Sequence, residues 1–137
     1  MNLHVVNTVI HFSQCRARAY DTYMKKFFPY GIISVGEDRH ENSAEYATYD
    51  TWDRALNAFM SELEYQEILD IEALMMLGRG DSDTFEKSLA YLVETYPNDD
   101  VESKGLAIDY IISKSPLDRY LSDGLDILNG TYERDSN

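Results

Sequence analysis

Residues 71–81, with the sequence IEALMMLGRGD, decide the fold of this chain. Over residues 71–77 only Glu72 is polar, and a helix that is apolar on all sides must be surrounded by other elements. Gly78 is of the type that commonly ends a helix, and Gly80 gives the backbone a second release. The stretch therefore predicts a central buried helix that stops at Gly78, followed by a sharp structural or functional turn made of Gly78, Arg79, Gly80 and Asp81.

Apolar residues at helical spacing lie on both sides of this segment and predict five or six helices in all. The first is a long amphipathic helix over residues 3–27, which Pro29 and Gly31 end. Residues 31–50 carry no sustained period and are predicted to form a long polar loop. A second helix then begins with Thr51 as its capping residue.

Capping residues and apolar spacing also predict the remaining helices. Ser61 with Glu64 matches a capping box at the start of the central helix. Residues 85–96 have the spacing of a further helix. Residues 103–113 favour another helix, although residues 107–112 also fit an extended segment.

The last helix is predicted to have Ser115 as its N-cap and Pro116 as its first residue, and to end before Gly130. No internal repeat divides the chain. We therefore predict an all-α fold with one compact domain over residues 1–130 and a frayed tail over residues 131–137.

Composition limits the classes of function that are open to the chain. It has 137 residues, with 25 acidic and 12 basic residues, and its net charge is −13. Direct binding of nucleic acid is not expected, because phosphate contacts need clustered Lys and Arg. No run approaches the about 18 apolar residues that a membrane span needs. The single cysteine and the lack of a leader pattern favour the cytoplasm.

The acidic residues of the second half are the leading candidates for a partner-binding surface, since residues 61–137 contain 18 acidic against 6 basic residues. Two groups of three are Glu64, Glu67 and Asp70 on the central helix and Asp99, Asp100 and Glu102 in a later connection. Carboxylates on rigid helices imitate the phosphates of a duplex, which carries one charge per roughly 1.7 Å.

We therefore expect a non-enzymatic module that binds another protein through this surface or through its many tyrosines. A basic, nucleic-acid-binding protein is the expected partner. The sharper hypothesis is a phage-encoded inhibitor that occupies the nucleic-acid site of a host-defence protein by charge mimicry. The alternative is that the acidity only keeps the protein soluble.

Two other classes of function remain open. A small enzyme or metal-binding protein would use His4, His11 and Cys15, of which the last two have i, i+4 spacing, or the turn with Arg79 and Asp81. A homodimer of unknown role is compatible with the first helix. Familiar catalytic signatures, phosphate loops and paired-cysteine sites are missing, so we expect no catalytic residue, metal or cofactor.

Arg16 lies within the apolar arc of the first helix on a helical wheel. A buried guanidinium needs an acidic partner, and Glu72 or Asp81 is the candidate for this ion pair. The alternative is that the stem of Arg16 packs while its head reaches water.

The second half resembles an uncharacterised bacterial family known as domain of unknown function 3775. The stretches that carry the resemblance are residues 71–81 and residues 109–125, with the sequence DYIISKSPLDRYLSDGL. The matching residues are Ala73, Leu74, Leu77, Gly78, Arg79, Gly80, Asp81, Tyr110, Pro116, Leu117, Tyr120, Leu121, Gly124 and Leu125. The chain departs from the family at Ile111, where the family tends to have Leu, and in residues 31–50.

This resemblance implies no activity, but it directs attention to Arg79 and Asp81. Gly124 would cost about 1 kcal/mol relative to Ala inside a helix, which indicates the close approach of another backbone. The turn that follows the central helix is the candidate for that backbone.

Overall fold

Six α-helices follow one another along residues 1–130, the part of the chain that this computed structural model describes. They are α1 (Leu3–Phe27), α2 (Ala44–Ser61), α3 (Tyr65–Arg79), α4 (Phe85–Thr95), α5 (Val101–Ile112) and α6 (Leu117–Leu128). The fold is one compact all-α domain, as predicted. The tail over residues 131–137 lies outside the described residues. Within residues 1–130, no helix is both long and apolar enough to cross a membrane.

The central position of α3 follows from its composition. Between Ile71 and Leu77 every residue except Met76 is buried, and α4, α5 and α6 pack around this segment. α1 packs along α2 and also contacts α6. The apolar core joins Val9 of α1 and Leu56 of α2 to the middle of α3. The predicted long first helix and the predicted buried central helix are both confirmed.

Two glycines allow α3 and α6 to cross with their backbones in contact. A Cβ atom added to Gly78 would overlap the carbonyl oxygen of Tyr120, and one added to Gly124 would overlap the carbonyl oxygen of Leu74. Close approach at Gly124 is therefore confirmed. The approaching backbone is that of α3 at Leu74, and Gly78, the first residue of the predicted turn, also lies against the backbone nitrogen of Gly124. Gly78 makes this contact from inside α3, and Gly80 and Asp81 are not among the contacting residues.

The stop predicted at Gly78 is wrong, because α3 continues to Arg79, and the second predicted release, Gly80, is its C-cap. Gly80 has a φ of 82°, which only glycine adopts without strain. Its N–H donates to the carbonyl of Leu77 at 3.1 Å, and the N–H of Asp81 donates to that of Met76 at 2.9 Å. Gly78 thus serves the packing of α6, and Gly80 supplies the turn.

The segment predicted as a polar loop is shorter than expected, because α2 begins at Ala44 and not at Thr51. The Ser43 hydroxyl caps the helix by accepting a hydrogen bond from the Tyr46 N–H at 3.1 Å. Thr51 lies inside the helix. The added turns pack on α1 through four tyrosines, which are Tyr20, Tyr23, Tyr46 and Tyr49. Tyrosine carries both apolar area and a hydroxyl, so this contact does not register as apolar periodicity.

The starts of the last two helices also differ from the prediction. Residues 107–112 are helical, so the extended alternative is wrong. Asp100 caps α5 by accepting a hydrogen bond from the Ser103 N–H at 2.8 Å. Pro116 occupies the N-cap position of α6, one residue later than predicted.

Alanine substitutions will measure the backbone contact between α3 and α6. We expect Gly78→Ala and Gly124→Ala each to lower the free energy of unfolding by about 2 to 3 kcal/mol, because the added methyl must push the helices apart. Gly105→Ala is the matched control, since a Cβ at Gly105 in α5 would meet nothing within 4 Å. It should raise stability by up to about 1 kcal/mol. Equal effects at all three positions in urea unfolding would contradict this account.

Candidate functional site

The first acidic group lies at the start of α3 and forms its cap. Glu64 is the N-cap, and its backbone N–H donates to the Glu67 carboxylate at 3.1 Å in a reciprocal capping box. The box predicted between Ser61 and Glu64 is therefore wrong, since the Ser61 hydroxyl donates to a carbonyl within α2. Asp70 accepts a hydrogen bond from the Gln66 side chain at 3.1 Å. Carboxylates at a helix N-terminus are stabilised by the helix dipole.

The second acidic group lies near Tyr65 at the start of α3, although the two segments are far apart in the sequence. Burial raises the pKa of Tyr65 above its ordinary value, and the charges of Asp99 and Asp100 raise it further. The Tyr65 hydroxyl donates to the carbonyl oxygen of Tyr96, which holds the start of α3 against the end of α4. The two groups therefore approach each other at the start of α3, while Glu67 and Asp70 border the start of α1. We call this surface the acidic end and define it as Glu64, Glu67, Asp70, Asp99, Asp100 and Glu102.

Exposed apolar side chains occur along α5, and the first of them, Val101, lies between Asp100 and Glu102 in the sequence. Val101 is 88% exposed and Leu106 is 58% exposed. Tyr110 is also exposed, further along the same helix. Asp100 at the base of α5 has its pKa lowered by the hydrogen bond from the Ser103 backbone, so it is ionised at neutral pH. Charged and apolar groups thus share one exposed surface.

Arg16 is paired with neither of its predicted partners. Its Nη1 lies 3.1 Å from Oδ1 of Asp53, and its Nη2 donates to the carbonyl of Ile112 at 3.3 Å. The pairing with Glu72 or Asp81 is therefore wrong, because α1 lies along α2 and the nearest carboxylate is there. The alternative in which the head of Arg16 reaches water also does not occur, since the side chain is only 13% exposed.

Of the predicted metal candidates, the structure brings two together. Nε2 of His11 lies 3.8 Å from Sγ of Cys15, and the His11 ring packs edge-on against Trp52. His4 is exposed nearer the start of α1. Within the described residues 1–130, no three His, Cys, Asp or Glu side chains form a group that could hold a metal ion.

A pocket of about 550 Å³ lies between α3, α4 and α5, and the predicted turn forms its edge. Glu72, Met76 and Arg79 line it from one side of α3, as their i, i+4, i+7 spacing requires. Nη1 of Arg79 lies 3.6 Å from Oδ2 of Asp81, too far for a hydrogen bond. We call this the α3–α4 pocket. The sequence identified the turn and Glu72 separately, but it did not show that they line the same pocket.

Glu72 is the most unusual ionisable group of this pocket, since it is only 3% exposed. Burial raises its pKa to about 7, and the interaction with the Tyr96 hydroxyl acts in the opposite direction. Burial and the nearby Glu72 charge raise the pKa of Tyr96 to about 12. Glu72 is therefore divided between its neutral and its charged form near neutral pH.

Glu72→Gln will test the burial of this carboxyl. The folded state holds its proton up to about pH 7, whereas the unfolded carboxyl loses it near the ordinary value of 4.5. The folded state binds more protons between these values, so wild-type stability falls as pH rises through this window and then levels off. We expect the variant to be about 2 to 3 kcal/mol more stable than wild type above this window and equal to it below. Urea unfolding from pH 4 to 8 measures this, and parallel stability curves would contradict it.

Comparison with known proteins places this part of the chain in a family. Residues 53–129 match the family described as Protein of unknown function (DUF3775). The matched segment runs from the later part of α2 to the end of α6 and includes both the acidic end and the α3–α4 pocket. No curated protein and no solved structure matches the chain. Since the match covers more than half of its length, the chain belongs to the DUF3775 family.

Proposed function

We propose that the protein is a non-enzymatic binding module whose acidic end binds a basic protein. One observation carries this proposal. None of the six carboxylates of the acidic end forms an ion pair within residues 1–130. Lys104, at the nearby start of α5, donates to the carbonyl of Ser61 at 3.4 Å. The negative charge of this surface is therefore available to a partner.

The exposed side chains of α5 add an apolar component to the proposed interface. Val101 lies between Asp100 and Glu102 in the sequence and is almost fully exposed. Interfaces commonly combine a central apolar contact with a charged rim. A partner that offers Lys or Arg around an apolar side chain fits this arrangement, and its association would be accelerated by opposite charge.

Rigidity supports the more specific form of the proposal, in which the partner is a nucleic-acid-binding protein of a host-defence system. Glu64, Glu67 and Asp100 are held by capping interactions at helix starts, so their positions are fixed relative to one another. A protein that recognises a duplex contacts the regularly spaced negative charges of its phosphate backbone, and fixed carboxylates resemble these charges. In this form the module is an inhibitor that acts by charge mimicry.

Two double variants with the same net charge will test the location of the binding surface. Asp99→Asn with Glu102→Gln removes two charges from the acidic end without removing a cap. Asp21→Asn with Glu41→Gln is the control, and Asp21 lies late in α1, about 27 Å along that helix from Leu3. We expect a partner captured from cell lysate to be lost with the first variant only. With the purified partner, its dissociation constant should rise about tenfold, or about 1.4 kcal/mol.

The salt dependence of the same complex supplies the second test. The wild-type affinity should fall steeply with salt, because exposed charges are screened over roughly 8 to 10 Å at physiological ionic strength. If the protein acts by charge mimicry, a labelled DNA duplex should compete with it for binding to the partner. Equal loss of partner binding in both double variants would show that the attraction is non-specific and would contradict a binding surface at the acidic end. Partner binding that does not change with salt would also contradict the proposal.

A further inference from the structure

The α3–α4 pocket contains buried polar groups that the protein itself leaves without hydrogen-bond partners. In the described part of the chain four buried side-chain atoms are of this kind, and three of them belong to residues that line this pocket. They are Oε1 of Glu72, Nη1 of Arg79 and Oγ of Ser88. Buried polar atoms are normally paired, because leaving one unpaired costs about 1 to 3 kcal/mol. Their concentration at one pocket indicates a ligand site.

The chemistry of the lining differs between the two ends of the pocket. Glu72 and Arg79 are seven residues apart on α3, which separates their Cα atoms by about 10 Å along the helix. Met76 lies between them and contributes an apolar surface. One end therefore offers the Glu72 carboxyl group with the Tyr96 side chain near it, and the other offers the Arg79 guanidinium. The two ends suit groups of opposite charge.

We propose that this pocket binds a small zwitterion with an ammonium group at one end, a carboxylate at the other and a short apolar chain between them. The ammonium group pairs with Glu72 and lies against the aromatic ring of Tyr96, since cations are attracted to aromatic faces. The carboxylate accepts hydrogen bonds from Arg79, whose planar guanidinium suits a carboxylate. Dipeptides and ω-amino acids are the chemical class with this charge separation.

The incomplete pairing of Arg79 supports its assignment to the ligand carboxylate. Its contact with Asp81 is 3.6 Å long, and its guanidinium also lies 5.4 Å from the centre of the Tyr120 ring. Lys87, on the same side of the pocket, is exposed and lies 3.7 Å from Asp83. Nη1 of Arg79 thus has an ion-pair contact with Asp81 that is too long for a hydrogen bond, and it has no hydrogen-bond partner within residues 1–130.

A homologous series of probes tests the charge separation directly. The probes are ω-amino acids from glycine to 6-aminohexanoate, with butylamine and pentanoate as compounds that carry a single charge. Binding is followed by the NMR signal of the Met76 methyl group, with the signals of the buried Met60 and Met75 as internal references. We expect the longer zwitterions to shift the Met76 signal. Equal shifts with the singly charged compounds, or no shift with any probe at millimolar concentration, would overturn the proposal.

Substitutions at Glu72 and Arg79 test which charged group of the ligand each end of the pocket binds. Glu72→Gln and Arg79→Met should each weaken binding of the best zwitterion about tenfold, and Glu86→Gln and Arg119→Met, at exposed positions outside the pocket, should leave it unchanged. If Arg79→Met fails to fold, the affinities of Glu72→Gln for the probe series are sufficient to test the proposed site. Unchanged affinity in Glu72→Gln would overturn the assignment.

Proton release gives a readout that a purely structural role of Glu72 would not produce. The ionisable groups that face Glu72 across the pocket are Arg79, Asp81, Lys87, Tyr91, Tyr96 and Tyr110. A bound ammonium group favours the ionised carboxyl, so binding near pH 7 should release part of a proton from Glu72. Calorimetry in buffers of different ionisation enthalpy measures this release. It should disappear in Glu72→Gln, and its absence in wild type would contradict an ammonium group at this end.

Discussion

Backbone contact between α3 and α6 is the constraint on which the rest of this structure depends. Gly78 and Gly124 remove the two side chains that would otherwise hold these helices apart. α6 therefore covers one side of α3 at short distance, while α4 and α5 cover another side and enclose Glu72. The acidic end then forms where α3 begins and where α5 begins. A small change in this contact would move every helix that packs on α3.

Much of the fold could be predicted because α3 and α1 carry strong local signals. Residues 71–77 are too apolar for any position but the centre, and apolar spacing locates most of the other helices. The predicted caps Thr51, Ser61 and Ser115 are all wrong, because a capping side chain must also meet the free N–H groups of the helix start, which sequence spacing does not show. Gly78 was misread because a glycine that admits a neighbouring helix and a glycine that ends a helix are identical in sequence. The first turns of α2 were missed because tyrosines make their contacts. The partner of Arg16 depends on which helix lies nearest, and local spacing carries no information about that.

The candidate sites were also predictable only in part, because local sequence signals identify residues but do not show which of them the fold brings together. The acidic residues were identified as two groups, but only the fold shows that Asp99 and Asp100 lie near Tyr65 at the start of α3. The α3–α4 pocket had a signal in the sequence, namely Glu72, Met76 and Arg79 on one side of a single helix. Its remaining groups come from the turn after α3, from α4 with its C-cap Tyr96, and from α5. Nothing in the local sequence distinguishes Ser88, which becomes notable only because the fold buries it.

Tyr96 belongs to both regions at once. Its backbone carbonyl accepts the hydrogen bond of Tyr65 at the acidic end, while its side chain faces Glu72 in the α3–α4 pocket. The end of α4 is thereby attached at two points on α3, one near the start of that helix and one in its middle. The acidic end and the pocket thus share one attachment, so a substitution that displaces Tyr96 would disturb both regions.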